Sequence, residues 1–134
     1  MHNPASNATP VGRHLLADFY GVAPEPLRDE SLLTSLLLRV LGDSGFHILS
    51  HRSAKFPGEE SGATVMVLLS ESHATIHTYP EFGYAAIDIF SCGDSSPEQA
   101  LAGLQAALEP QECQISTHAR GRLPVPDTRG TRNF

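Results

Sequence analysis

The segment from Glu71 to Glu81 concentrates side chains that can do chemistry. It reads ESHATIHTYPE and holds, within eleven positions, one serine, two histidines and two glutamates. A hydroxyl can act as a nucleophile, an imidazole can exchange a proton near neutral pH, and a carboxylate can hold a cation. A polar strand end followed by a turn would have the same composition, so this density alone does not define a site.

A metal site is the first interpretation of the segment. His73 and His77 stand four residues apart, which is the spacing of zinc ligands on a helix. The flanking residues favour a strand instead, and on a strand these two rings would start about 13 Å apart. We therefore expect no zinc site from this pair and no metal requirement.

Thiol chemistry is the second interpretation. Cys92 would be the nucleophile, His77 the base and Asp88 the group that orients it, brought together by neighbouring strands. The alternative is that Cys92 is a small buried hydrophobic residue at the end of a strand. The only other cysteine is Cys113, and we expect two free thiols rather than a disulfide.

Strand-like runs rich in β-branched and aromatic residues lie on both sides of this segment. They cover residues 12–22, 46–52, 64–70, 75–79, 84–92 and 113–119. Residues 80–83, PEFG, are a turn between two of these runs, so the simplest arrangement is a hairpin. Such a hairpin would bring Cys92 to the pocket that Ser72 faces.

Two helices are predicted from apolar residues at helical spacing. The first begins after Asp29 and places six apolar residues on one stripe: Leu32, Leu33, Leu36, Leu37, Val40 and Leu41. The second has Ser96 as its N-cap, Pro97 at its first position, Gln99 as the reciprocal capping partner and Pro110 as its stop.

This order of elements predicts an α+β fold, a two-layer sandwich with helices on one face of a largely antiparallel sheet. The whole chain, 1–134, reads as a single domain. The other face of the sheet needs a cover, and a second copy of the chain could supply it, so we expect a homodimer. The proline-rich stretch at 122–134 should be loose.

Composition excludes several classes of partner. The formal net charge is −6 and the nine Lys and Arg are scattered, so nucleic acid is not an expected partner. The longest apolar run is far shorter than the ~20 residues of a membrane-spanning helix. The N-terminus lacks the basic start and apolar stretch of a secretory signal, which favours a cytoplasmic location.

The run ESHATIHTYPEFGYAAIDIFSCG at 71–93 resembles the signature of the small prokaryotic S-adenosylmethionine decarboxylases. The resemblance extends to GRHLLADFYG at 12–21 and to RGR at 120–122. It implies a proenzyme that cleaves itself between Glu71 and Ser72 into chains 1–71 and 72–134. Both chains would stay in one sheet.

The resemblance also implies roles for individual residues. Ser72 would become a covalent pyruvoyl group, which binds the substrate amine as a Schiff base and replaces pyridoxal phosphate. His77 would accept a proton during processing, with Thr64 in support, where the family more often has serine. Cys92 would donate the proton that completes decarboxylation.

Substrate contacts are assigned by the same resemblance to Phe56, which could stack on an adenine, and to Glu81, which could hold a sulfonium or amine. Glu81 could equally be a solvated turn carboxylate. Two departures affect the pocket wall: residues 53–54 are Ser-Ala where the family commonly has Phe-His, and Tyr79 replaces a frequent tryptophan.

Three functions therefore remain open. The first is decarboxylation of S-adenosylmethionine, which supplies the aminopropyl donor for spermidine in polyamine biosynthesis. The second is decarboxylation of a basic amino acid, arginine or ornithine, on the same fold. The third is a relative that binds without processing, which the presence of Ser72, His77 and Cys92 disfavours.

Overall fold

A computed structural model describes residues 9–124. Residues 1–8 and 125–134 lie outside the described residues. The first group is part of the N-terminus that was expected not to be a secretory signal, and the second is most of the stretch at 122–134 that was predicted to be loose. Six strands form one antiparallel sheet in the order β2-β3-β4-β5-β1-β6. They are β1 (Gly12–Tyr20), β2 (Ile48–Lys55), β3 (Ala63–Leu69), β4 (Ser72–Tyr79), β5 (Tyr84–Ser91) and β6 (Glu112–Arg120).

Three helices accompany the sheet: α1 (Pro24–Leu27), α2 (Glu30–Asp43) and α3 (Pro97–Leu108). α2 packs against α3 and against β2 and β3, while α3 contacts β5. The predicted α+β sandwich with helices on one face is confirmed. The short α1 was not predicted, since four residues carry no periodicity.

The helix ends follow the predicted caps in part. The Asp29 side chain accepts a hydrogen bond from the Leu32 amide at 3.0 Å, and Ser96 accepts one from the Gln99 amide at 3.1 Å. The prediction that Gln99 is the reciprocal capping partner of Ser96 is wrong. The Gln99 side chain donates instead to the Asp43 carbonyl at 3.1 Å, and the Ser96 amide donates to Ser44 at 3.0 Å, which ties the start of α3 to the end of α2.

One position of the predicted apolar stripe is also wrong. Leu32 is 44% exposed, whereas the other five members of the stripe are buried. It lies in the first turn of α2 and lines a surface cavity with Leu36 of the same helix and Leu108 of α3. The buried five pack with one alternating set of strand residues to make the core, which includes Leu15, Phe19, Val65, Val67, Ile76, Ile87 and Ile89.

Alternation along the strands leaves a second sheet face that no element within residues 9–124 covers. We call it the open face. Its central residues are His14, Leu16, Asp18, Thr64, Met66, Leu68, His73, Thr75, His77, Ala86, Asp88 and Phe90. Three of its apolar side chains are half exposed, Leu16 at 41% and Met66 and Leu68 at 53% each. The open face is therefore left uncovered by the described residues of a single chain, as the sequence led us to expect.

Candidate active site

Glu71 and Ser72 lie at a tight hairpin turn between β3 and β4. Ser72 pairs with Leu69, so only two residues make the turn. Glu71 has φ = +62°, a left-handed conformation that is unusual for a residue other than glycine. This conformation costs on the order of 1–2 kcal/mol. Backbone strain is thus stored at the residue that precedes the predicted cleavage bond.

The hydroxyl of Ser72 is held loosely in this turn. Its Oγ donates to the Ser70 carbonyl at 3.4 Å, and the side chain is only partly buried. The single long hydrogen bond leaves the hydroxyl free to rotate toward a neighbouring carbonyl carbon. The turn therefore combines a strained backbone with an available nucleophile.

Cys92 lies beside the same turn. β4 and β5 pair with His73 opposite Phe90, and this register carries Cys92 to Glu71. The Cys92 thiol donates to the Glu71 carbonyl oxygen at 3.5 Å. The hairpin expected from sequence thus brings Cys92 to the bond assigned to cleavage. We call Glu71, Ser72 and Cys92 the cleavage end.

Thr64 and His77 form a second group on the open face. They are paired across β3 and β4, and Thr64 Oγ1 is hydrogen-bonded to His77 Nδ1 at 2.8 Å. When Nδ1–H donates to the threonine, Nε2 carries no proton and can accept one. The structure therefore joins the two residues that sequence analysis linked to processing. We call this pair the histidine end.

The two ends are separated within one chain. Ser72 and His77 lie five residues apart on β4, a distance of about 16 Å along an extended strand. They also fall on alternate faces, since His73, Thr75 and His77 share the open face while Ala74 and Ile76 are in the core. A single copy of the chain does not bring this histidine to this serine.

The residues expected to bind substrate are near the histidine end. Phe56 follows β2, its amide donates to the Gly62 carbonyl at 3.0 Å, and its side chain is 39% exposed. Glu81 lies in a turn of 3-10 helix, Pro80–Phe82, directly after β4 and is exposed. Neither residue lies beside Ser72. Ser72 is the first residue of β4, whereas Glu81 follows the last residue of that strand.

The alternative thiol triad is wrong. His77 is paired with Ala86, and Cys92 lies six residues farther along β5, about 20 Å away at strand spacing. His77 is bonded to Thr64, and Asp88 is bonded to other residues. The three proposed members therefore have three different environments.

A cluster around Asp88 on the open face was not predicted from the sequence. His14 Nε2 and His73 Nε2 both contact Asp88 Oδ2, at 2.7 Å and 3.1 Å. The Thr75 hydroxyl donates to Asp88 Oδ1. Burial opposes ionisation of this carboxyl, but the hydrogen bonds from Thr75, His14 and His73 outweigh it and lower the pKa of Asp88 below its ordinary value.

Three tyrosines stack at the opposite end of the open face. Tyr84 lies between Tyr20 and Tyr79, with ring centroids 5.4 Å and 5.5 Å apart. Tyr84 donates its hydroxyl to Asp18 at 2.5 Å, and this hydrogen bond, with burial, raises the pKa of Tyr84 to about 12. Asp18, Thr75, His77 and Asp88 also line a shallow cavity of about 250 Å³.

Residues 13–121 match the family described as S-adenosylmethionine decarboxylase, which is most of the chain. The chain belongs to the S-adenosylmethionine decarboxylase family. The resemblance inferred from residues 71–93 is thereby confirmed. Among the solved structures, the adenosylmethionine decarboxylase of Aquifex aeolicus is similar at a TM-score of 0.82 and 30% identity, over 90% of this chain and 99% of that one.

Relatives in this family carry two different names. The S-adenosylmethionine decarboxylase proenzyme of Thermotoga petrophila is 40% identical over 84% of this chain and 85% of its own length. The arginine decarboxylase proenzyme of Ignicoccus hospitalis is 37% identical over 90% of this chain and 85% of its own. Both are named as proenzymes. Within residues 9–124, no helix has the length and apolar character needed to cross a membrane.

Proposed function

We propose that this chain is a proenzyme that cleaves itself between Glu71 and Ser72 and then works as a pyruvoyl-dependent S-adenosylmethionine decarboxylase. The observation that carries the proposal is the left-handed Glu71 in a two-residue turn, with Cys92 hydrogen-bonded to its carbonyl. Family membership supports the same chemistry, because the named relatives are decarboxylase proenzymes. The two products would be residues 1–71 and 72–134.

Cleavage would begin with the Ser72 hydroxyl. Its Oγ attacks the Glu71 carbonyl carbon, the C–N bond breaks, and an ester replaces the amide while the nitrogen of Ser72 becomes a free amine. A base then removes the Ser72 α-proton, the Glu71 carboxylate leaves, and the resulting dehydroalanine hydrolyses to a pyruvoyl group and ammonia. Strain at Glu71 favours the first step, because the turn relaxes when its amide is lost.

The residues at the cleavage end fit a pyruvoyl group. Ser72 is the first residue of β4, so cutting before it leaves the strand paired with β3 and β5. The strands on both sides of the cut share one sheet, which would hold the two chains together. The pyruvoyl carbonyl supplies an electron sink for the loss of carbon dioxide. Cys92, at the same end, would donate a proton to the substrate carbon that has lost its carboxylate.

The base for α-proton removal would come from a second copy of the chain. His77 is oriented by Thr64 yet lies about 16 Å from its own Ser72. Two copies related by a two-fold axis, packed open face to open face with strands antiparallel, would put the histidine end of each at the strand end where the other has its Glu71–Ser72 bond. Because the Ser72 side chain alternates to the core face, the partner's His77 would reach the Ser72 α-carbon around the turn end of β4. The half-exposed Leu16, Met66 and Leu68 would be buried by the same contact.

Substrate would bind across this contact as well. Phe56 and Glu81 lie at the histidine end, so in the dimer they would approach the pyruvoyl group of the partner. A carboxylate such as Glu81 or Asp18 would attract the cationic sulfonium and amine of S-adenosylmethionine, and an aromatic ring would stack on its adenine. The product would be the aminopropyl donor used to make spermidine. A cytoplasmic location fits the two free cysteines.

Arginine is the second candidate substrate. The observation in its favour is the Ignicoccus hospitalis relative, which is named for arginine and nearly as similar as the relatives named for S-adenosylmethionine. Both substrates are cationic amino acids, so the acidic cavity around Asp18 suits either. They differ in the adenosyl group, for which Phe56 is the proposed partner.

Release of carbon dioxide from carboxyl-labelled substrates tests the assignment. Purified, cleaved protein should release labelled carbon dioxide from S-adenosylmethionine without added pyridoxal phosphate or metal. Release from arginine or ornithine alone would assign the enzyme to basic amino acids. Phe56→Leu should raise KM for S-adenosylmethionine, and Phe82→Leu, which changes a 73% exposed aromatic residue of the neighbouring turn, is its matched control.

A further inference from the structure

We propose that His14, His73 and Asp88 form a binding site for a divalent transition-metal ion on the open face. The three residues come from β1, β4 and β5, which are adjacent in the sheet. His14 and His73 both pair with Phe90, so they flank one position of β5, and Asp88 lies two residues from it on the same face. The proposal is independent of self-cleavage and of the substrate.

The donor atoms already converge. His14 Nε2 and His73 Nε2 lie 2.7 Å and 3.1 Å from Asp88 Oδ2, and all three atoms are within 4.8 Å of one another. In a tetrahedral zinc site with bonds of about 2.0–2.1 Å, neighbouring ligand atoms are about 3.3 Å apart. The two His–Asp separations, 2.7 Å and 3.1 Å, are shorter than that value by about 0.6 Å and about 0.2 Å, so side-chain rotations that move the histidines slightly apart from Asp88 would admit an ion.

The chemistry of the set is that of a transition metal. Two imidazoles and one carboxylate suit zinc, cobalt and iron better than magnesium or calcium, which prefer oxygen alone. Three protein ligands leave at least one coordination position, and His73 is the most exposed of the three side chains, at 44%. Water or a group from the second copy would complete the coordination.

A hydrogen bond from Thr75 orients the Asp88 carboxylate. The Thr75 hydroxyl donates to Asp88 Oδ1, the oxygen that the histidines do not contact. Such a second contact fixes a ligating carboxylate and is typical of metal sites.

Arg120 opposes metal binding at His14. Its Nη1 lies 3.3 Å from His14 Nδ1 and can only donate, so His14 accepts there and carries its proton on Nε2. Metal binding through Nε2 moves that proton to Nδ1, where it would face the arginine. Arg120 is exposed at the end of edge strand β6 and can swing away. In Arg120→Gln, the side-chain amide oxygen could instead accept a hydrogen bond from the His14 Nδ1–H group, which would favour the ion.

Titration of the chelator-treated full-length protein with Co²⁺ tests the site. We expect a visible d–d absorption band with a one-to-one end point. His73→Ala and Asp88→Asn should each weaken binding about tenfold or more, whereas Arg120→Gln should tighten it by about tenfold. His51→Ala is the matched control, since it removes an exposed histidine of β2 that lies outside the cluster and outside the processing residues, and it should leave the Co²⁺ affinity unchanged.

The outcome is separable from loss of fold. Asp88→Asn conserves the shape of the side chain, and circular dichroism verifies that each variant is folded before titration. Absence of a band in the parent protein would overturn the proposal. So would a Co²⁺ affinity that survives Asp88→Asn and His73→Ala, or one that Arg120→Gln fails to strengthen. The measurement reads metal binding directly, so loss of decarboxylase activity would not disturb it.

Discussion

The thiol of Cys92 lies 3.5 Å from the carbonyl oxygen of Glu71, whose bond to Ser72 is the proposed cleavage bond. The contact exists because β4 and β5 are antiparallel neighbours in one hairpin. In the proposed enzyme, the same register would leave the thiol beside the new end of the 72–134 chain. A proton donor would therefore be present as soon as the pyruvoyl group forms.

Replacement of Cys92 separates processing from turnover. Cys92→Ala should still self-cleave, at least in part, because neither the nucleophile nor the base is changed. Turnover should fall by ~10²–10⁴-fold, the loss expected for a positioned proton donor. Cleavage on a denaturing gel and release of carbon dioxide measure the two effects separately.

Cys113→Ala is the control for this experiment. Cys113 is the other free thiol, on β6, and its sulfur accepts a hydrogen bond from Gln105 at 3.1 Å, away from the cleavage end. It should keep parental activity. Cleavage and decarboxylation at parental rates in Cys92→Ala would mean that this thiol is only a packing residue.

Mixed dimers test whether His77 acts on the partner chain. Ser72→Ala and His77→Ala should each remain uncleaved alone, and the His77→Ala chain should stall as an ester that hydroxylamine cuts. In a mixture of the two, the His77→Ala chain keeps Ser72 and receives His77 from its partner, so it alone should be cut. Distinct tags on the two chains identify the products. No cut chain in verified mixed dimers would contradict assembly of the site from two copies.

Thr64 should influence processing through the orientation of His77. Thr64→Val removes the hydroxyl but conserves the shape, and losing one hydrogen bond of about 1 kcal/mol should slow cleavage by roughly fivefold to tenfold. Thr64→Ser should restore the rate, because its hydroxyl can make the same bond. Equal rates for the valine and serine variants, measured by time-resolved gels, would remove Thr64 from the processing group.

Tyr84 should lose its phenolic proton at a higher pH than an ordinary tyrosine. Its pKa is raised from 10.0 to about 12 by the hydrogen bond to Asp18 and by burial, so the folded state favours the neutral phenol. The resulting stabilisation is complete below pH 10 and is lost as the pH rises toward about 12. An absorbance titration should show a phenol step near pH 12 that disappears in Tyr84→Phe and persists in Tyr79→Phe. Persistence of the step in Tyr84→Phe would contradict this assignment.

The sequence predicted the elements where periodicity is strong. α2 and α3 carry apolar residues at helical spacing with recognisable caps. β4 and β5 are joined by a short turn that contains proline and glycine, so the pairing of these two strands could be predicted. The position of Cys92 beside Glu71 could be predicted for the same reason. The exposure of Leu32 could not be predicted, because helical spacing does not show which edge of the apolar stripe β2, β3 and α3 cover.

The groups formed across strands were harder to predict. The contact of His14 with Asp88 joins residues 74 positions apart and depends on the pairing of β1 with β5, which no local pattern encodes. The distance between Ser72 and His77 could have been predicted, since strand spacing already excluded a shared ion for His73 and His77. At strand spacing, His77 is too far from Ser72 to act on it within one chain, so the same argument would have indicated that a second copy supplies the histidine.

Intact-mass analysis of the purified protein under denaturing conditions tests the central claim most directly. Self-cleavage predicts two chains that divide between Glu71 and Ser72, with the 72–134 chain beginning in a pyruvoyl group and therefore lacking a free α-amine. Ser72→Ala should give one chain of full mass. A single uncut chain in protein that decarboxylates substrate, or a cut chain that starts with an intact serine, would contradict the account.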